Sequence, residues 1–270
     1  MQVACVGLAT RDTIWRLPSH PPPDGRVVAT EVVVAGGGPA GTAAVTLARL
    51  GIDVAFAGAV GDDDAGDFVR AGLASEGVDI TQLAVVPAAR TPQSAILVGP
   101  EGTRSIVHHP GDAPFPDVAA HADWVHVDHV GYAHAQGRVS VDAGNPIDGL
   151  DLRGVALYAP TEERLRADFG DAQTALDAGA ELVVVTRGAE GSVATTREGE
   201  VIAPGVPCDP VSTLGAGDVF HGALLAYLVR GAPLAEALHA ANAAAALSCR
   251  ALDGRSAIPT LDELQRSLIA

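Results

Sequence analysis

Apolar residues follow two rhythms along this chain. Short apolar-rich runs at 3–7, 54–57, 122–127, 139–141, 155–158 and 182–186 have the length and β-branched content of buried strands. Other segments carry helical spacing: 39–50, which stops at Gly51, and 65–76, which stops at Gly77. A third begins at Val219, places Phe220, Ala223, Leu224, Tyr227 and Leu228 on or near one stripe, and ends at Gly231 before Pro233. Beyond Gly217 the pattern is nearly all helical. Strand and helix alternate for most of the length, which predicts βαβ units and a mainly parallel sheet. No self-similarity at a period of about 20–50 residues points to a repeat array.

Two stretches break the alternation. Residues 13–34 are proline-rich at their centre (Pro18, Pro21, Pro22, Pro23) and end in the β-rich run 27–34. Residues 91–108 hold two β-rich runs, 94–98 and 104–107, around Gly99-Pro100-Glu101-Gly102. Together they predict three or four antiparallel strands outside the main sheet. Such strands make either a lid at the carboxyl edge or an ordinary edge hairpin, and periodicity leaves both open.

Composition narrows the classes. With 270 residues and 48% hydrophobic content, the chain can bury one large α/β core. No run reaches the roughly 18 apolar residues of a membrane span. The opening Gln2–Leu8 run reads as a buried strand without a basic leader, so a cytoplasmic location is expected. Cys5, Cys208 and Cys249 are too few and scattered for a disulfide framework or a zinc site. A net charge of −16 argues against nucleic acid as a partner. All 17 basic residues are arginines. A lysine-dependent phosphate loop is thereby excluded, and phosphates must be met by backbone amides, Mg²⁺ or arginine.

The densest chemistry lies at 211–222, Val-Ser-Thr-Leu-Gly-Ala-Gly-Asp-Val-Phe-His-Gly. Gly215, Ala216 and Gly217 let a backbone turn come up to Asp218 at a helix start. The first amides of a helix have no internal acceptor and form a ready anion site. A carboxylate among them suits proton abstraction from an alcohol while the amides hold a phosphoryl group. For Gly-x-Gly-Asp alone, an N-cap or first-turn Asp complementing the helix dipole is the simpler account. The twelve residues together are more specific. They resemble the second signature of the PfkB/ribokinase family of carbohydrate kinases. The resemblance implies that Asp218 is the catalytic base, that the amides of 215–218 form the anion hole, and that ATP with Mg²⁺ supplies the phosphoryl group.

Gly36-Gly37-Gly38-Pro39-Ala40-Gly41-Thr42 precedes and opens a predicted helix. Its glycines permit either close approach of a ligand or tight helix packing. The stretch is similar to the family's first signature, a Gly-Gly pair followed by an Asn on the helix. Gly37, Gly38 and Thr42, the last in place of the Asn, are the implied sugar contacts. Asp12, beyond the first strand, suits paired sugar hydroxyls or an Asx turn; it aligns with the family's sugar-binding Asp. The acidic 61–66 run lacks the distal Glu of a calcium loop and reads as a helix start. On the nucleotide side, Thr186, Arg187, Gly188 and Gly191 lie where a strand runs into a glycine turn, similar to the family's segment near the phosphates. A solvated Arg187 is the plainer alternative. Asn242 sits on a helix of small residues, which in the family borders the adenine pocket.

Two positions depart from the family pattern. Thr161 and Arg164 replace an Asn-x-x-Glu pair, which leaves Glu162 or Glu163 to reach Mg²⁺ through water. Ser212 replaces an Asp that helps hold a monovalent cation, so K⁺ dependence does not follow. Histidines 108, 109, 121, 126, 129 and 134 cluster mid-chain, as a metal site or, with Asp128, as lining of the sugar pocket. His221 is expected to pack locally.

The resemblance spans Gly7 to Pro259. It implies a ribokinase-like three-layer α/β sandwich over 1–270, a β-sheet lid from 13–34 and 91–108, and ATP-dependent phosphorylation of a primary hydroxyl of a sugar or sugar derivative. The signature runs look most like the ketohexokinase and sulfofructose kinase branch. That implies a ketose, with Arg26, Arg104 or Arg138 as contacts for an anionic group. Family members often dimerise through the lid, so a homodimer is expected, with no membrane partner. Nucleoside phosphorylation and sugar binding without catalysis stay open. A dinucleotide-dependent oxidoreductase is disfavoured, since no Gly-x-Gly-x-x-Gly follows the first strand.

Overall fold

Alternate residues of the first strand, β1 (Val3–Val6), enter two different cores, as a strand buried on both faces requires. Val3 and Cys5 join one hydrophobic cluster and Ala4 and Val6 the other. The computed structural model describes residues 2–117 and 122–269; His121 lies outside them. After β1 come β2 (Thr10–Arg16), β3 (Glu31–Gly37), α1 (Pro39–Arg49), β4 (Val54–Gly61), α2 (Asp64–Ser75) and β5 (Asp79–Val86). Next are β6 (Gln93–Val98), β7 (Arg104–His109), β8 (Trp124–Val127), β9 (Val139–Ala143) and β10 (Val155–Pro160). Then follow α3 (Glu162–Asp168), α4 (Ala172–Asp177), β11 (Val183–Thr186), β12 (Gly191–Thr196) and β13 (Gly199–Pro204). The helices α5 (Ala216–Val229), α6 (Leu234–Ser248) and α7 (Leu261–Ile269) close the chain.

The main sheet has nine strands in the order β13-β12-β11-β10-β9-β8-β1-β4-β5. It is parallel from β5 to β11, and β12 and β13 add an antiparallel edge. One face is covered by α1, α2, α5, α6 and α7, the other by α3 and α4, which gives three layers. No helix among the described residues is long and apolar enough to cross a membrane.

The second sheet has four strands in the order β3-β2-β6-β7. Its strands are not all antiparallel as expected: β2 and β6 run parallel, because the chain passes through the main sheet between them. Registers Asp12↔Ser94 and Ser94↔His108 set three polar side chains abreast on one face. Ile14, Ile96 and Val98 pack with Leu252 against Val211 and Leu214. The small sheet is thereby docked on the segment that leads into α5. Gly36 and Gly37 end β3 rather than forming a free loop, since Arg11 and Thr10 pair with them.

One buried carboxylate gathers the carboxyl edge. Asp128, just past β8, accepts N–H groups from Leu8 (2.8 Å), Ala40 (3.2 Å), Val130 (2.9 Å) and Gly131 (3.0 Å). Its oxygens are consumed in holding the β1 exit, the α1 N-terminus and its own loop. They are not free for a sugar, contrary to expectation. Asp128→Ala strands these donors in a buried place, and we expect it to lower unfolding free energy by about 3–5 kcal/mol. Urea unfolding followed by circular dichroism measures this; a loss under about 1 kcal/mol would mean that water replaces the carboxylate at no cost.

Candidate active site

The turn before α5 is built by glycine. Gly215 has φ 72°, the left-handed region that a side chain disfavours, and a Cβ there would lie 3.1 Å from the Gly254 Cα. Ser212 Oγ accepts the Leu214 N–H at 3.2 Å and helps close the turn. Val219 N donates to Gly215 O at 2.9 Å, so α5 takes up its ladder there. Ala216 N reaches only Thr213 O, at 3.4 Å. The amides of Gly217 and Asp218 are left to face an incoming anion, as the first turn of a helix dictates.

Asp218 stands in that first turn, partly buried. Burial and the Asp142 charge push its pKa up to about 8, against the pull of His221 and Arg104. Beneath it lies a buried ion pair: His221 Nδ1 is 2.9 Å from Asp142 Oδ2, and both side chains are 5% exposed. His126, one strand over from Asp142, contacts Ser140 Oγ at 3.1 Å, and burial drives its pKa down to about 4. His221 therefore does more than pack locally, because it carries the charge that balances Asp142 next to the base.

Asp12, on β2, is buried and accepts the Thr10 hydroxyl at 2.7 Å. Desolvation raises its pKa. Gly37 lies against it: a Cβ there would fall 1.9 Å from Asp12 Oδ2. Gly38, at φ 84°, starts α1 where a Cβ would meet the Leu8 carbonyl at 2.4 Å. Thr42 is one turn into α1 and buried. Arg104, on β7, donates to Thr213 Oγ1 at 2.7 Å, which ties the small sheet to the turn before α5. The two flank a cleft of about 570 Å³ lined also by Gly102, Thr103 and Ile106.

Thr186 and Arg187 end β11, beside the start of α3. Arg187 Nε sits 3.3 Å from Glu162 Oε1, and Glu162 also meets Arg166 at 3.3 Å. Glu163 is exposed in the same helix turn, which Thr161 caps by accepting the Arg164 N–H at 3.2 Å. Among the described residues no three His, Cys, Asp or Glu side chains come together as a metal cage. Without such a cage, a Mg²⁺ would have to arrive with nucleotide phosphates and water, and the carboxylates of Glu162 and Glu163 are the groups at the start of α3 that could hold its water. Gly188 (φ 58°) and Gly191 (φ 96°) shape the following turn. Asn242 Nδ2 donates to the carbonyls of Ala203 and Pro204, each at 3.1 Å, so its amide nitrogen pins α6 to β13.

Several expected contacts are elsewhere. Arg138 stacks on Trp124 at 4.3 Å, at the amino end of β8 and β9 and away from Asp218. Arg26 is exposed in the proline-rich segment. His134 stacks on Phe115, while His108 contacts Ser94 Oγ at 3.2 Å and shares the face of Asp12. Arg255 was not anticipated: its guanidinium lies under the glycine strip, bonded to Gly37 and Thr42. Only its place in Leu252-Asp253-Gly254-Arg255 marks it in the sequence, and that carries no recognisable spacing.

Comparison with known proteins agrees with this geometry. The family model described as "pfkB family carbohydrate kinase" matches residues 1–159 and 152–261. An ATP-dependent ribose-1-phosphate kinase of Halopiger xanaduensis is 30% identical, covering 97% of this chain and 96% of its own. Aminoimidazole riboside kinase of Salmonella typhimurium is 29% identical over 86% of this chain and 87% of its own. The crystal structure of ribokinase from Thermotoga maritima shares the fold, with a TM-score of 0.87, 23% identity and complete coverage of both chains. From its signature turns to its sheet order, this chain belongs to the pfkB family of carbohydrate kinases, enzymes that depend on ATP.

Proposed function

We propose that the chain transfers the γ-phosphoryl group of ATP to a primary hydroxyl of a sugar or sugar derivative, of the ketose type. The observation that carries this reading is the position of Asp218. Its carboxylate lies in the helix turn that holds the unpaired amides of 217 and 218, and Arg255, bonded to Gly37 and Thr42, stands within electrostatic reach of both Asp218 and Asp12. Asp12, Gly37, Gly38 and Thr42 hold the acceptor, and Arg104 reaches it from the small sheet. Asp218 takes the hydroxyl proton as the acceptor oxygen bonds to the γ-phosphorus. The bond from that phosphorus to the bridging oxygen breaks, and ADP leaves. The amides of 215–218 receive the charge that develops on the phosphoryl oxygens. Glu162 or Glu163 would hold, through water, a Mg²⁺ that would supply neutralisation of phosphate charge. Thr186, Arg187, Gly188 and Gly191 line the phosphate side and α6, with Asn242, the base side.

The outer face of the small sheet supports a homodimer. Trp15, Val32, Val34 and Val107 share that face by register, with Val107 68% exposed. A second copy laid on it would cover these side chains. Val107→Asp should convert the dimer to monomer in sedimentation velocity; a native protein that is already monomeric at micromolar concentration overturns the dimer.

Asp218→Asn should lower kcat by about a thousandfold or more while acceptor binding, read by calorimetry, changes less than about threefold. Substantial remaining turnover removes Asp218 from the role of base. The same variant should be more heat-stable than the native protein. A carboxyl whose folded pKa is raised favours the folded state least once pH exceeds its unfolded value of about 3.9, so the gap in Tm should widen from pH 4 toward pH 8. A variant less stable at pH 8 contradicts this.

The base must be ionised to work. kcat/KM for the acceptor should therefore rise with pH along a limb set by Asp218, near pH 8 in the free enzyme. A profile flat from pH 6 to 9 would place the limiting proton elsewhere.

A further inference from the structure

Arg255 is held as a site residue is held. Asp253 Oδ1 accepts the N–H groups of Arg255 (2.8 Å) and Ser256 (2.7 Å). Arg49 Nη1, from the end of α1, donates to the carbonyls of Arg255 (2.9 Å) and Ile258 (2.8 Å). Arg49 is itself fixed by Glu76, through Nε at 2.8 Å and Nη2 at 2.7 Å. The backbone that presents Arg255 is thus clamped at both ends.

Its side chain is 8% exposed and runs beneath the glycine strip. Nε donates to Thr42 Oγ1 at 3.3 Å and Nη2 to Gly37 O at 2.6 Å. A Cβ at Gly36 would lie 2.3 Å from Nη1, and one at Gly41 would lie 2.6 Å from Nη2, so the slot exists only with glycine at both positions. Nη1 has no hydrogen-bond partner among the described residues, and no carboxylate stands within ion-pair distance. Asp12 and Asp218 act on it only through space. A guanidinium cannot shed its charge at neutral pH, and burying one without an ion-pair partner is costly.

The donor inventory shows what would complete it. Thr42 Oγ1 already accepts from Nε, so its hydroxyl hydrogen points elsewhere as a donor. Nη1 is a donor only. Asp12 supplies the acceptors that a neutral diol needs, whereas the Arg255–Thr42 corner offers mostly donors, with a single Thr42 lone pair left to accept. Oxygens that only accept, and carry charge, are its complement.

The geometry points to an acceptor that bears an anionic substituent, a phosphate, sulfonate or carboxylate, seated on Arg255 Nη1 and Thr42 Oγ1. This rests on the sugar-kinase reading above and narrows its substrate class; Arg255 is then the residue that selects for charge. The three anions share one recognition chemistry, and substrate pairs separate them.

The test uses the full chain and matched acceptors: ribose with ribose 1-phosphate, fructose with 6-deoxy-6-sulfofructose, and glucitol with gluconate. In at least one pair the charged member should lead by about a hundredfold in kcat/KM. Arg255→Met should erase that lead, and Arg255→Lys should restore part of it. Equal or better use of the neutral member in every pair that turns over overturns the inference and leaves the kinase reading standing. If no acceptor consumes ATP, the kinase reading fails, and thermal shift without nucleotide decides the inference separately. A charged acceptor should then raise the Tm of the native protein, and not that of Arg255→Met, more than its neutral partner does. No charge-dependent shift overturns it. Should Arg255→Met fail to fold by circular dichroism, Arg255→Lys and Thr42→Val take its place, each expected to weaken the charge preference by about tenfold.

Discussion

A single carboxylate, Asp128, decides where the working parts of this enzyme stand. A parallel sheet leaves its carboxyl edge as a row of loops with unmet backbone donors, and those loops must be drawn together before they can form a site. Asp128 does this by accepting from Leu8, Ala40, Val130 and Gly131 at once. The Leu8 bond aims the chain into β2, and so places Asp12. The Ala40 bond fixes the first turn of α1, and so places Gly37, Gly38 and Thr42. The glycine strip and Asp12 are therefore referenced to the sheet through one side chain.

The electrostatics of the cleft follow from a second constraint, the crowding of negative charge under α5. Asp142 and Asp218 approach each other in a place with little water. One charge is held by His221, which keeps Asp142 ionised with a pKa lowered to about 2. The other, Asp218, has no ion-pair partner among the described residues, and burial with the Asp142 charge outweighs the pull of His221 and Arg104 and drives it toward its protonated form. Two carboxylates with opposite shifts thus sit within one helical turn and the strand below it, a division of labour seen wherever a site needs one ionised anchor and one poised proton acceptor. The chain has no lysine, so a phosphate it binds must be met by backbone amides, arginines or a metal ion.

How much of this was legible in the sequence depended on range. The turn at Gly215–Asp218 and the glycine strip at 36–38 could be read because their function is encoded in consecutive residues and in the absence of side chains. Main strands such as β8 and β10 declared themselves through buried apolar runs. Edge elements did not: β5 is half exposed, and β12 and β13 form a hairpin rich in Thr and Gly. Arg255 was invisible because its partners, Gly37 and Thr42, lie more than two hundred residues away. His221 was expected to pack locally and Asp142 was not singled out, since nothing local in either segment encodes the contact between β9 and α5. Arg138 misled for the converse reason: its charge was evident, but which end of the strand it occupies is a tertiary fact.

The hydrogen bond from Arg104 to Thr213 has a thermodynamic corollary. It joins the small sheet to the turn before α5, the two elements to which the proposed reading assigns acceptor and phosphate. Whatever fixes one side of that bond lowers the entropy the other side still has to lose. Acceptor and nucleotide must then influence each other's dissociation constants by one and the same factor, whichever is bound first. Their affinities are properties of the pair and not of either ligand alone.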